Sequence, residues 1–212
     1  MSINNYKKAS FVAATAAMAG TAGAGRNKAV DELIDRIKDD SDNVRMDAWL
    51  GAGEVGAPAV KPLATVMTDK RLEVARAAKR GLWKIVRHVG RPGAKDEKMA
   101  VAAELIPLLG EDQPTSVRRE VLWMLSEIGD GKSVTPIAAL LSSKELREDA
   151  RMVLQRIPDK RAVRALRAGL EAAPEDFKHN IAHSLRQRGV EVAGLACVKL
   201  VPTKKTSVQP LK

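Results

Sequence analysis

Apolar residues recur at a helical spacing in five segments, which start at Val44, Val74, Val117, Leu146 and Phe177. In every segment apolar side chains stand at the start and again four and eight residues later, and in all but the last also eleven residues later. These offsets lie on one side of a helix with about 3.6 residues per turn. The segments start 30, 43, 29 and 31 residues apart. The pattern predicts five helices, each with one buried stripe, repeated about every thirty residues.

Helix-ending residues stand at matching places in these segments. Twelve residues after the start, the chain has Gly56, Gly129 and Gly189 in three segments and Pro158 in a fourth. The second segment continues to Gly90, and an insertion near residues 91–95 accounts for the one long spacing. Glycine and proline at these positions predict where the helices end.

A second, shorter helix is expected before each of the five. Its pattern, with a proline in three cases, recurs at Val30–Leu33, Val60–Leu63, Leu105–Leu108, Val134–Ile137 and Val163–Leu166. A two-helix unit cannot bury its stripe alone, so the units are expected to stack into a continuous core. The prediction is an all-α solenoid of about five stacked helix-turn-helix units over 26–200. Residues 190–200 are predicted to form a C-terminal capping helix.

Several units share a motif of five residues: Val44–Ala48 (VRMDA), Val117–Val121 (VRREV) and Leu146–Ala150 (LREDA). This motif, followed by a glycine stop and a helix with a proline near its middle, resembles the HEAT-repeat family. The period near thirty is similar to the shorter bacterial variety, which also occurs in phycobilin lyases. The resemblance implies an α-solenoid that binds other macromolecules, and it implies no particular reaction.

Composition agrees with a helical core and narrows the chemistry. The chain is 45% hydrophobic but only 3% aromatic, so the core is expected to consist of Ala, Leu, Val and Ile. One cysteine, Cys197, excludes an internal disulfide and a thiolate zinc cluster. The formal net charge of +10 favours anionic partners without identifying one.

Motifs for catalysis and cofactors are missing from the sequence. There is no phosphate-binding glycine loop after a strand and no GxSxG elbow. His179 and His183 are spaced to share a helix face, but no HExxH motif surrounds them. We therefore predict a protein that is not an enzyme and needs no cofactor or metal. Cys197 is expected to be a buried structural thiol, with a surface thiol as the alternative, and His88 to interact with a helix C-terminus.

The helix face opposite the buried stripe carries the candidate partner-binding residues. Offsets of 2, 6, 9 and 13 residues point about 180–240° away from the first core position. The resemblance implies that this face lines the inner, concave side of the solenoid. Arg, Trp and Met are enriched at protein interfaces. The predicted partner-binding residues are Arg76, Arg80, Trp83, Arg87, Arg119, Trp123, Met152 and Arg186.

Two alternatives concern these side chains. Trp83 and Trp123 are large enough to pack instead against a neighbouring repeat, as Trp49 is expected to do. The resemblance also implies that basic residues one position after each helix start form a ladder with acids of adjacent repeats; these are Arg45, Arg118, Arg147 and Lys178. Acidic residues at offsets 3 and 10 border the basic face and argue against a uniform phosphate track; they are Asp47, Glu54, Glu120, Glu127 and Asp149.

The function that fits these features is a scaffold or accessory subunit that binds protein partners and organises a larger complex, such as an enzyme complex. The alternative is a nucleic-acid-binding protein with a glycosylase-like groove, for which Glu148 is the candidate carboxylate. A chromophore lyase has no specific residue in its support.

The two ends of the chain differ from the repeats. Residues 1–25 combine two lysines, a short apolar stretch and a small-residue site, which predicts a secretory signal and an exported protein. A flexible Ala-rich segment on a cytoplasmic protein is the alternative. The apolar stretch is too short to span a membrane. Residues 201–212 contain two prolines and several lysines and are predicted to be a flexible basic tail.

Overall fold

The computed structural model describes residues 28–196, and these form helices without any strand. The helix α1 covers 28–37 of the described chain. The others are α2 (Asp42–Val55), α3 (Val60–Val66), α4 (Leu72–Val89), α5 (Lys95–Leu105), α6 (Thr115–Ile128), α7 (Val134–Ala139), α8 (Arg147–Arg156), α9 (Lys160–Ala172) and α10 (Glu175–Gln187). Within 28–196 no helix is both long and apolar enough to cross a membrane.

The ten helices form the five predicted pairs, arranged in two layers. The second helices of the pairs (α2, α4, α6, α8 and α10) pack against one another in succession, and this is the second-helix layer. Among the first helices, α3 contacts α5 and α7 contacts α9. One hydrophobic core runs through all five pairs, because each pair buries its stripe against the next. The all-α solenoid is thus confirmed.

The buried positions follow the predicted stripe. The residues four and eight places after each helix start are buried in every repeat: Ala48, Ala52, Ala78, Leu82, Val121, Leu125, Ala150, Leu154, Ile181 and Leu185. Small alanines occupy many of these places, which allows the helices to approach closely. The periodicity of the sequence therefore predicted the core.

The predicted helix ends are also observed. Helix α2 ends before Gly56, whose positive φ of 70° is adopted far more easily by glycine than by other residues. Helix α8 ends two residues before Pro158, and α4 continues to Val89. The first helices of three repeats combine α-helical and 3-10 segments, the latter at Ala57–Ala59, Ile106–Leu109 and Leu140–Ser142. A proline stands in the first turn of the first two 3-10 segments, where its missing N–H costs no hydrogen bond within the helix.

The predicted capping helix over 190–200 is wrong for its described part, because residues 190–196 are not helical. Helix α10 ends in a Schellman motif, in which the N–H of Gly189 donates to the Arg186 carbonyl and that of Val190 to the Leu185 carbonyl. Gly189 and Gly194 both have positive φ, which turns the chain away from a helix. Arg186 then donates hydrogen bonds to the carbonyls of Val192, at 3.1 Å, and Leu195.

Some predictions lie outside the described residues. These are the signal segment 1–25, the buried thiol of Cys197 and the basic tail 201–212.

The expected ladder at the first position after each helix start is confirmed only for Arg147. Its guanidinium contacts Asp176 of the next repeat at 2.6 Å. Arg45 and Arg118 instead donate to the carbonyls of Asp39 (2.5 Å) and Leu109 (3.0 Å) within their own repeats. These carbonyls stand at the ends of first helices and have no helical N–H to accept from, so the two arginines act as C-caps. Lys178 pairs with Glu175 of its own helix.

Ion pairs between repeats are made mainly by other residues. Lys79 pairs with Glu120, Arg119 with Asp149 at 3.0 Å, and Arg156 with Glu127 at 2.7 Å. Three of the predicted acidic-edge residues are thus used to join second helices of adjacent repeats. This pairing decides which cations of the layer remain available to a partner.

Asp159 is the N-cap of α9, and its carboxylate is expected to make the stability of the fold depend on acid pH. Hydrogen bonds from the side chain of Arg161, and then from its backbone N–H, lower the pKa of Asp159 to about 2. An unfolded aspartate has a pKa of about 3.9, so these contacts stabilise the fold fully above that pH and are lost as the pH falls towards the folded value. Asp159→Asn keeps the cap acceptor but removes the charge.

We expect urea midpoints of the Asp159→Asn variant to fall less steeply than those of the wild type between about pH 4 and pH 2. Parallel decreases in the two proteins would show that the Asp159 carboxylate does not contribute to this pH dependence.

Candidate partner-binding groove

An open groove of about 660 Å³ lies between α2 and α4, and we call it the α2–α4 groove. It is lined by two tryptophans and five basic residues: Trp49, Arg76, Lys79, Arg80, Trp83, Lys84 and Arg87. Trp49 comes from α2 and the others from α4. Both tryptophans also pack against the core, so each offers a fixed aromatic surface to the groove.

Two arginines lie over the indole rings. The guanidinium carbon of Arg80 is 5.6 Å from the ring centre of Trp49, and that of Arg87 is 5.6 Å from the ring centre of Trp83. These distances are within the range of cation–π attraction. A guanidinium that stacks by its face keeps the N–H groups at its edge available for an acceptor.

Glu120 of the next repeat closes one side of the groove. Its carboxylate accepts a hydrogen bond from the Trp83 indole N–H at 3.1 Å and pairs with Lys79. It therefore holds the tryptophan in place and neutralises one of the five cations. The other four have no carboxylate within ion-pair distance among residues 28–196. We call them the cationic strip: Arg76, Arg80, Lys84 and Arg87.

The structure brings together four of the predicted partner-binding residues. Arg76, Arg80, Trp83 and Arg87 all line the α2–α4 groove. Trp83 was expected either to bind a partner or to pack within the protein. It lines the groove and also packs partly against the core.

The other four predicted residues lie on the second-helix layer outside this groove. Arg119 bonds the Asp149 carboxylate and the Glu145 carbonyl, and Arg186 bonds backbone carbonyls after α10. Trp123 and Met152 are half-buried. The guanidinium groups of Arg119 and Arg186 thus already have partners within the protein.

Sequence reasoning missed three groove residues: Trp49, Lys79 and Lys84. Lys79 and Lys84 stand five and ten residues after Val74, about 140° and 280° around the helix from it. They lie on the flanks of the predicted face, and Trp49 occupies the corresponding flank of α2. A groove between two helices is lined by flanks as well as by the centre of a face, so a wider angular window could have included them.

The candidates for chemistry lie away from the groove. Glu148 bonds Arg151 at 2.8 Å and also Asn180, and it does not line the groove that contains the tryptophans. His179 and His183 are exposed on α10, and within 28–196 no group of three or more potential ligands is placed to hold a metal. His88 stands in the last turn of α4, as expected of a residue that interacts with a helix C-terminus. Its Nδ1 lies 3.8 Å from the Glu54 carboxylate and its Nε2 lies 3.9 Å from the Glu97 carboxylate.

Comparisons with known proteins concern the repeats. The family model for HEAT repeats matches residues 102–186. A designed armadillo repeat protein, solved in complex with the peptide (KR)4, is 19% identical and has a TM-score of 0.44, with coverage of 73% of this chain and 80% of the designed chain. No curated protein matches the sequence. The five stacked helix pairs make the described part of the chain an all-α solenoid, and its residues 102–186 are similar to HEAT repeats.

Proposed function

We propose that this protein is a non-catalytic scaffold or accessory subunit that binds a protein partner through the α2–α4 groove and so organises a larger complex. The observation that carries the proposal is the pair of guanidinium groups that lie over tryptophan rings within one groove. Buried Trp and Arg anchors supply a large share of the binding energy at protein interfaces.

The groove is suited to recognition because its side chains are held before a partner arrives. Trp83 is fixed by its hydrogen bond to Glu120, and both indoles pack against the core. The rings in turn restrict the two arginines. A surface that is already ordered loses less conformational entropy on binding, so more of the contact energy contributes to affinity.

The proposal predicts that Arg80→Ala impairs binding without unfolding the protein. Arg80 is exposed, so its removal should change the free energy of unfolding by no more than about 0.5 kcal/mol. Loss of an arginine anchor should weaken partner binding at least about tenfold. Arg167→Ala is the matched control, because Arg167 is exposed on α9, outside the groove.

The measurement is affinity capture from native extract with the full chain and both variants, followed by titration calorimetry with the purified partner. Capture that survives Arg167→Ala and fails with Arg80→Ala supports the proposal. Equal capture by the two variants, or a large fall in melting temperature for Arg80→Ala, would contradict it.

A nucleic-acid partner is the second candidate, because cations interleaved with aromatic rings also suit single strands. The length of the cationic strip speaks against it. Arg76 to Arg87 span about 17 Å along α4, and the next repeat presents Glu120 and the paired Arg119 instead of further available cations. Salt-dependent binding of an oligonucleotide, lost with Arg80→Ala and kept with Arg167→Ala, would favour this candidate.

A further inference from the structure

We infer that the α2–α4 groove binds an extended acidic segment of the partner, with carboxylates on alternate residues. This inference rests on the proposed function and specifies the chemistry of the bound segment. Its starting point is the cationic strip, which places four positive charges on one helix face without a neutralising carboxylate among the described residues.

The charges of the strip oppose one another in the unbound protein. Arg76 and Arg80, and Arg80 and Lys84, are four residues apart on α4, a spacing at which like charges destabilise a helix. Elsewhere in the second-helix layer, arginines are neutralised by carboxylates of adjacent repeats, as in the pairs Arg119–Asp149 and Arg156–Glu127. An acidic ligand would relieve the repulsion within the strip, and a basic one would increase it.

The chemistry of the arginines favours carboxylates as the bound groups. Arg80 and Arg87 each lie over an indole ring, and the N–H groups at the edge of a guanidinium are the part that binds an acceptor. Two parallel N–H groups match the two oxygens of a carboxylate, and such charged hydrogen bonds are about twice as strong as neutral ones. At the edge of the groove a carboxylate of the protein itself, that of Glu120, already binds two groove side chains, Lys79 and Trp83.

The spacing of the strip suits an extended chain. Successive cations at 76, 80 and 84 rise by about 6 Å along α4. Alternate side chains of an extended peptide are about 6.6 Å apart on one side. A peptide that follows the groove can therefore bring a carboxylate to each of several successive cations.

The ends of this chain do not supply the ligand. Residues 1–27 and 197–212 contain no aspartate or glutamate, and both segments contain lysine. Insertion of either segment would add positive charge to the groove. Neither of these two segments therefore has the chemistry of the inferred ligand.

The tryptophans favour a peptide over a single-stranded nucleic acid. Bases bind to such proteins by stacking on open aromatic faces. Here each indole packs partly against the core and has a guanidinium over its ring, so a base would have to compete with the arginine for that face.

The test uses the full chain and a fluorescent peptide of about twelve residues in which Glu alternates with Ser. Comparison probes are the same residues with all Glu in one block, a Lys–Ser alternating peptide and an oligothymidine. We expect the alternating acidic peptide to bind at least about tenfold more tightly than each of the others, with a change in tryptophan fluorescence. Its affinity should fall as salt rises, because the charges are exposed.

Charge reversal locates the binding site. Arg80→Glu with Lys84→Glu should lower the affinity for the acidic peptide at least about tenfold. The matched control is Arg164→Glu with Arg167→Glu, which changes the net charge equally on α9 and should retain binding. The neutral variant Arg80→Gln with Lys84→Gln should also lower the affinity for the acidic peptide. It keeps the test valid if the charge-reversed protein does not fold.

The inference is overturned if the peptide with all Glu in one block, or the Lys–Ser peptide, binds as tightly as the alternating acidic peptide. It is also overturned if the α9 control loses as much affinity as Arg80→Glu with Lys84→Glu, or if the oligothymidine binds more tightly. If the acidic peptide fails while partner capture still depends on Arg80, the proposed function stands and the acidic segment is wrong. If capture is also independent of Arg80, both are wrong.

Discussion

Replacing Leu125 by alanine is expected to lower the free energy of unfolding by about 2–5 kcal/mol, the largest effect of any substitution considered for this protein. Leu125 is fully buried on α6, in the central repeat. Its truncation removes apolar contact and leaves a cavity in a core that is packed on both sides. Because each repeat is stabilised by its neighbours, damage to the central one weakens two interfaces at once.

Urea denaturation followed by far-UV circular dichroism measures this effect. Met46→Ala provides the control, because Met46 is 44% exposed on α2 and its truncation should change stability by less than about 0.5 kcal/mol. Similar midpoints for the two variants would show that α6 does not contribute the central part of the core.

Replacing Arg188 by methionine is expected to destabilise the fold by about 1–3 kcal/mol, although the substitution makes the residue more apolar. The Arg188 guanidinium donates hydrogen bonds to the carbonyls of Gln155 at 3.1 Å, of Asp159 at 3.0 Å and of Ile157. Gln155 stands in the last turn of α8, where a carbonyl has no N–H partner within the helix. The carbonyls of Ile157 and Asp159 each also accept a backbone N–H, from Asp159 at 2.8 Å and from Ala162 at 3.1 Å. Methionine has a similar length but cannot donate, so it would leave the Gln155 carbonyl without a donor and remove one hydrogen bond from each of the other two carbonyls.

Arg167→Met is the control for this experiment, because it makes the same change at an exposed position on α9. Thermal and urea unfolding should show a loss for Arg188→Met and little change for the control. A stability of Arg188→Met equal to or above that of the wild type would mean that burial of the methionine outweighs the lost hydrogen bonds.

Arg188 also explains the single failure of the repeat pattern. Eleven residues after each helix start the sequence has an apolar residue, except in the last repeat, where Arg188 stands. In the last repeat this position holds a side chain that bonds the end of the preceding repeat. An exception to a periodic pattern thus marks a contact between repeats, which the sequence shows only as a missing apolar residue.

The end of the solenoid was predicted least well among the described elements. Residues 190–196 contain several small apolar residues, which favoured a helix in the sequence. Gly189 and Gly194 adopt positive φ, and Arg186 binds the backbone carbonyls of the turned chain. A local apolar pattern does not reveal the backbone conformation of the glycines within it, and two glycines with positive φ interrupt a helix here.

The candidate site was predicted in part for a similar reason. Helical periodicity placed Arg76, Arg80 and Trp83 on one face of α4, and they do line one groove. The contribution of Trp49 depends on how α2 is rotated against α4. The unavailability of Arg119 depends on Asp149 of the next repeat, at 3.0 Å. Such relations join residues about thirty positions apart, and no local spacing specifies them.

The amino-acid sequence by itself determined the number of helix pairs, their buried stripes and most of their ends, because these follow from the period of a single helix and from the backbone limits of glycine and proline. Only the tertiary structure decided which charges are paired between repeats, which remain in the cationic strip, and how the chain leaves α10. Those outcomes depend on distances between helices, since an arginine becomes a cap, a ladder partner or a binding group according to the acceptor that a neighbouring repeat brings near it.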